Sequence, residues 1–316
     1  MSGLHAHGHD HSHGQRSTLT SRAALASIAM ALFLIATKAW AALHTSSMAM
    51  LGSLADSSLD LFASIVVLIG VRVAATPADS EHRFGHGKAE ALAALAQVVI
   101  ISISAIFIGI QSVRRLLRGA QTADAELGIG VSLVAIVLTL ALITYQRHVV
   151  KQTKSVAIAT DRLHYASDLL LNLSVIAALA LEQFVGLVGA DAVFGLLIAL
   201  WLAVGAWRSS SHALDQLMDR EWQVDQRQRF LDAAAEYPEL SGLHDLRTRT
   251  SGTHHFVQFH VWVPEDWTVR EAHDRIDRAE EELQKRFPDT EILIHLDPEG
   301  HTDREGLLPA HLTEQA

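Results

Sequence analysis

Long apolar stretches dominate the first two-thirds of the chain, and the hydrophobic period changes near residue 213. Six stretches, at 22–43, 48–74, 89–113, 126–145, 156–182 and 189–208, each suit a membrane helix, which takes about 20 predominantly apolar residues. The third and fourth are the cleanest: no acid or base lies between Ala91 and Val113 or between Gly128 and Tyr145. The second and fifth carry acids inside the apolar run. Beyond Ala213 the pattern shortens. Asp225–Tyr237 has the spacing of an amphipathic helix, His244–Thr250 and His255–Val263 alternate as strands do, Val269–Phe287 is a charged helix and Glu291–Asp297 a third strand. The expected fold is therefore an α-helical membrane protein of six transmembrane helices with a C-terminal α+β domain. That domain has the order αββαβ, with helices on one face of a three-stranded sheet. Residues 1–20 form a polar tail, 21–212 the membrane domain, 213–300 the α+β domain and 301–316 a second tail.

The acids of the second stretch, Asp56 and Asp60, are four apart and so lie one above the other on a helix face. In the middle of a span each costs about 2.5–3.5 kcal/mol, and like charges one turn apart repel. A bound cation is the simplest compensation. The fifth stretch repeats the spacing with His164 and Asp168. Face to face, the two pairs offer three carboxylates and one imidazole, a donor set that suits a tetrahedral transition metal, zinc first. The alternative is a pair of acids that merely holds helices together.

Two further groups have ligand spacing. In the loop from Pro77 to Lys88, Asp79, His82 and His86 stand three and four apart, enough to wrap one cation, and Gly85 and Gly87 let the backbone bend. A hydrophilic loop with two histidines is also commonplace. In the last strand Ile292, Ile294 and Leu296 face one way, and His295 and Asp297 the other. His260 is likewise opposite the apolar Val257, Phe259, Val261 and Val263 of the second strand. His260, His295 and Asp297 thus share a sheet face, His244 can join them, and His273 sits on the second helix of the domain.

Composition narrows the chemistry. The 316 residues include no cysteine, so metal must be held by His, Asp and Glu. Of the 19 histidines, His5, His7, His9, His11 and His13 alternate in the N-terminal tail, which by composition is disordered and able to collect metal weakly. A net charge of −10 argues against nucleic acid as a partner. No cleavable signal peptide is expected. An even number of spans puts both termini on one side. The loops holding Arg72, Arg83 and Lys88, and Arg147, Lys151 and Lys154, share that side, so both tails are expected in the cytoplasm. Arg114, Arg115 and Arg118 count against this orientation and are outnumbered.

From Arg22 to Asp297 the chain resembles the cation diffusion facilitators, and within them the bacterial iron/zinc exporters of the YiiP type. The motifs that carry the likeness are Leu54-Ala-Asp-Ser-Ser-Leu-Asp60, Phe84-Gly-His-Gly-Lys-Ala-Glu90, Leu163-His-Tyr-Ala-Ser-Asp168, His244-Asp-Leu-Arg-Thr-Arg249 and Ile294-His-Leu-Asp-Pro298. The resemblance implies that Asp56, Asp60, His164 and Asp168 bind the transported ion and that Asp79, His82 and His86 bind a second. It implies that His244, His260, His273, His295 and Asp297 belong to a cytoplasmic site of one or two ions at a dimer interface, and that Lys88 and Asp219 form a charge pair near the joint between the domains. It also implies a ferredoxin-like, metallochaperone-like fold for the cytoplasmic domain. Leu296 departs from the glutamine that the family pattern has beside those ligands.

The expected function is efflux of a divalent cation, zinc or iron(II) and by extension cadmium or manganese, by proton-coupled antiport through alternating access. The protein would be a homodimer in a bacterial inner membrane, with divalent cations and protons as substrates and the lipid bilayer as its surroundings. Zinc or another divalent cation serves as both transported and regulatory ion, with no organic cofactor. One rival is a metal-sensing membrane receptor whose quartet is structural. Another is a membrane zinc hydrolase, which needs an open coordination position and a general base; no His-Glu-x-x-His helix is present.

Overall fold

The computed structural model describes residues 10–45, 48–118, 128–186, 189–252, 254–288 and 290–300. The tail histidines His5, His7 and His9 lie outside them, as do the side chains of His11 and His13. Gln15–Leu214 forms one compact unit, and the part from Asp215 onward belongs to another.

The first unit holds six long helices: α1 (Asp10–Thr45), α2 (Met48–Ala74), α3 (Ala89–Arg118), α4 (Gly128–Thr153), α5 (Val156–Val185) and α6 (Ala190–Leu217). At about 1.5 Å per residue, all exceed the hydrocarbon thickness of a bilayer, roughly 30 Å. Among the described residues, five are long and apolar enough to cross a membrane. Helix α5 carries Asp161, Arg162 and Asp168 among its 30 residues. Polarity on α5 is what a helix lining an ion path requires. Helix α1 begins at Asp10, so it takes in residues that composition alone assigns to the disordered tail. A helix once nucleated extends at little cost, and the apolar run from Ala23 supplies the nucleus.

Helix α5 is the hub of the unit, packing against α2, α3 and α4. Small residues set the helix spacing, as in membrane bundles generally. A Cβ on Gly70 of α2 would stand 2.3 Å from Ala93 Cβ and 3.1 Å from the Ala89 carbonyl oxygen of α3. Neither atom is the end of a flexible side chain. Gly70→Ala should therefore destabilise the protein by about 1–3 kcal/mol, the usual cost of overpacking, seen as a lowered melting temperature in detergent.

The second unit contains α7 (Val224–Ala234), β1 (His244–Ser251), β2 (His254–Val263), α8 (Val269–Arg286) and β3 (Thr290–Pro298), with a short 3-10 turn at Pro238–Leu240. This is the expected αββαβ order. The sheet runs β1-β2-β3, with β1 and β2 antiparallel and β2 and β3 parallel. Parallel pairing requires a crossover, and α8 supplies it. Thr268 caps α8 in a reciprocal capping box with Glu271. Phe230 of α7 and Ile276, Ala279 and Leu283 of α8 share one core with Val257, Phe259, Val261 and Ile292 of the sheet. Both helices therefore cover one sheet face and leave the other to polar groups.

Candidate metal centres

In the first unit α2 and α5 bring Asp60, His164 and Asp168 together. His164 Nε2 lies 2.9 Å from Asp60 Oδ1 and 3.9 Å from Asp168 Oδ2. One ligand atom from each of the three lies within 4.8 Å of the others. Donors about 2.0–2.1 Å from a tetrahedral ion stand about 3.3 Å apart, so these groups need only small shifts to close on one cation. Asp60 and His164 are buried and Asp168 is half-buried. Asp56 precedes Asp60 by four residues on α2, which puts it on the same face; its side chain lies outside the described residues.

Around this cluster is a polar network that no local spacing announces. Asp161, on α5 one turn before His164, is fully buried. Its Oδ2 accepts from Ser27 Oγ of α1 at 2.6 Å and from Gln146 Nε2 of α4 at 2.7 Å, and its Oδ1 from Gln97 Nε2 of α3 at 3.3 Å. Three donors from three helices thus converge on one carboxyl group. Tyr165, the residue after His164, donates to the Ser27 carbonyl at 3.0 Å and shares a 3.0 Å hydrogen bond with Ser64 of α2. Residues on both sides of His164 are thus anchored to neighbouring helices, which fixes the height and rotation of the imidazole. The available signal was Ser27 and Gln97 as lone polar residues in apolar runs; Gln146, beside Arg147 and His148, gave none.

The loop between α2 and α3 gathers its three ligands as well. His82 Nδ1 and His86 Nε2 lie 3.3 and 3.4 Å from the two oxygens of Asp79. The backbone N–H of His82, at 2.6 Å, is the main reason the Asp79 carboxyl is held below its ordinary range; burial opposes it, and the Glu81 N–H, at 2.9 Å, adds to it. Gly85 adopts φ 76°, a left-handed conformation that favours glycine.

In the second unit His244, His260 and His295 occupy matched positions on β1, β2 and β3 and form a row across the sheet. Asp297, two residues past His295, serves all three. Its Oδ2 lies 2.7 Å from His260 Nδ1 and 3.4 Å from His244 Nε2, while Oδ1 lies 3.4 Å from His295 Nε2. Burial pushes Asp297 up, but the hydrogen bond and charge of His260, with the charges of His295 and His244, outweigh it and hold the carboxyl below its usual range. Asp297 with the imidazoles of His244 and His260 is a nitrogen-and-oxygen donor set that fits zinc or a similar ion, and His295 lies on the other oxygen of the same carboxylate. His273 is not brought into this cluster. It lies exposed on α8, which covers the other sheet face. Asp219, expected to pair with Lys88, lies 3.6 Å from Arg249 within its own unit.

The family model described as the cation efflux transmembrane domain matches residues 24–218, and the one described as the cation efflux protein cytoplasmic domain matches residues 223–299. The chain belongs to the cation efflux family. It is 41% identical over 288 residues to the cation-efflux pump FieF of Salmonella newport (strain SL254), covering 91% of this chain and 96% of that protein. The FieF protein of Salmonella typhimurium (strain LT2) matches with the same identity and coverage. Among solved structures, the metal-bound C-terminal domain of the CzcD transporter from Thermotoga maritima is 26% identical, covering 25% of this chain and 94% of that one at a TM-score of 0.24. As a cation efflux protein the chain is a multi-pass membrane transporter of divalent metal rather than an enzyme. Among the described residues, three clusters of acidic and histidine side chains have ligand atoms within 4.8 Å of one another.

Proposed function

We propose that the protein moves zinc or iron(II) out of the cytoplasm in exchange for protons, with Asp56, Asp60, His164 and Asp168 as the transport site. The observation that carries this reading is the convergence of Asp60, His164 and Asp168 from two helices within the helical unit. A buried cluster of ionisable groups in a membrane span marks an ion pathway. Helices rocking about this site would expose it first to one side and then to the other. Proton coupling follows from competition: the ligands hold metal only when deprotonated, and an imidazolium is not a ligand. Metal binding at this cluster should release protons, and apparent affinity should fall as pH drops. Calorimetry in buffers of different ionisation enthalpy reads the released protons directly. Buffer-independent heats near neutral pH, with binding confined to the quartet, would count against antiport.

In the same reading the protein is a homodimer in a bacterial inner membrane with both termini cytoplasmic, and Lys88 pairs with Asp219 near the joint. Asp79, His82 and His86 hold a second ion in the loop. His244, His260, His295 and Asp297 hold a regulatory ion, and His273 belongs to that site only by way of a second copy of the chain. A site outside the membrane path biases an equilibrium by its differential affinity for two states. His295→Ala with Asp297→Ala is thus expected to weaken the dimer or the apparent metal affinity while leaving measurable transport. Size-exclusion chromatography and flux assays on the double variant test this, and complete loss of flux in a folded dimer would contradict it.

A further inference from the structure

Lys38 lies on α1, within the apolar span Arg16–Trp40 and about two turns before the helix ends at Thr45. The chain stays apolar beyond it, through Ala39-Trp-Ala-Ala-Leu43. A lysine near a span end ordinarily sends its ammonium outward to the interface. Here the head group turns inward: Nζ donates to Ser57 Oγ of α2 at 2.6 Å. Ser57 is fully buried. It follows Asp56 directly and precedes Asp60 by three residues, one turn along the same helix. The ammonium therefore stands at the stretch of α2 that supplies two of the transport carboxylates.

We infer that Lys38 is a tethered counter-cation of the transport site; the inference rests on the proposed role of the quartet. Three carboxylates and one imidazole leave the ion-free site with excess negative charge inside an apolar unit. Charges in such surroundings interact far more strongly than in water. An ammonium held on Ser57, within one helical turn of Asp56 and Asp60 in the sequence, lowers the cost of the ion-free state. It also repels an incoming divalent ion more than it would a single proton. Lys38 thus weakens metal binding and eases release, so that affinity is lower and turnover faster than the carboxylates alone would give. The competing account is a structural one, in which Lys38 only ties α1 to α2 through Ser57.

Removing the charge while keeping the hydrogen bond separates the two accounts. K38Q retains a donor for Ser57 without the charge, K38M removes both, K38R keeps the charge, and S57A removes only the acceptor. Zinc binding is measured by calorimetry on the full chain in detergent. The background carries His82→Ala, His295→Ala and Asp297→Ala to disable the loop and cytoplasmic sites, and alanine at His5, His7, His9, His11 and His13 to remove weak binding by the tail. The counter-cation account expects K38Q and K38M to tighten zinc binding at least tenfold, K38R to stay near the parent value, and S57A to change it less than threefold. In proteoliposomes K38Q should lower KM and kcat together. An unchanged or weakened zinc affinity in folded K38Q, with the parent binding normally, overturns the counter-cation role alone. Absence of zinc binding in the parent overturns the transport-site reading and this inference with it.

Discussion

His164→Ala is expected to lower zinc affinity at the intramembrane cluster by roughly a hundredfold or more and to stop zinc flux. Loss of an outer-shell partner alone typically costs about 10–100-fold, and His164 is a direct ligand in this account. It is also the only nitrogen donor of the quartet, since Asp56, Asp60 and Asp168 supply oxygen. Imidazole suits zinc and iron, whereas an all-carboxylate site suits manganese and magnesium. His164→Asp should therefore depress zinc transport more than manganese transport, while His164→Ala depresses both. The shorter aspartate enlarges the space that His164 fills against Asp60, 2.9 Å away. A larger oxygen cage is the better fit for manganese. Parallel zinc and manganese flux assays on the parent and both variants decide the point. A retained preference for zinc in His164→Asp would mean that another group sets selectivity.

Asp161→Ala is expected to be among the most damaging substitutions outside the ligands. It removes an acceptor shared by three helices: Gln97 Nε2 loses its partner, while Ser27 Oγ is left with the Ala23 carbonyl at 3.2 Å and Gln146 Nε2 with Ser27 Oγ at 3.0 Å. Each buried donor left without a partner costs about 1–3 kcal/mol. The loss should be seen as a strongly lowered melting temperature and poor recovery of folded protein. Asp161→Asn keeps the shape and one acceptor oxygen, so it should fold and show a smaller drop. Because Asp161 anchors α5 one turn from His164, the asparagine variant should also raise KM for zinc more than it lowers kcat. Equal stability of Asp161→Ala and the parent would remove Asp161 from any role in holding the bundle.

The elements of the second unit were legible almost to the residue. Alternation reads His255–Val263 as a strand, and β2 spans His254–Val263; the helical period reads Val269–Phe287, and α8 spans Val269–Arg286. Period-2 alternation survives folding because one face of the sheet is buried, which also places His260, His295 and Asp297 together. The intramembrane pairs were legible because residues four apart on a helix are neighbours whatever surrounds them. The Asp161 network was not. Ser27, Gln97 and Gln146 belong to different helices, and only packing brings them within reach of one carboxylate. Lys38 and Ser57 are unlinked in the sequence for the same reason. His273 shows the opposite case. Ala272, Ile276, Ala279 and Leu283 form the buried stripe of α8, and a residue one step off that stripe points away from the sheet.

The most direct test of the central claim is zinc and iron(II) uptake into proteoliposomes of the purified protein under an imposed pH gradient, with internal pH followed at the same time. The account predicts metal movement driven by the gradient, proton movement in the opposite direction, and loss of both in His164→Ala and in Asp60→Ala. Metal binding by the folded protein with no flux of any divalent cation under any gradient would contradict it, and would leave a receptor with a structural metal site.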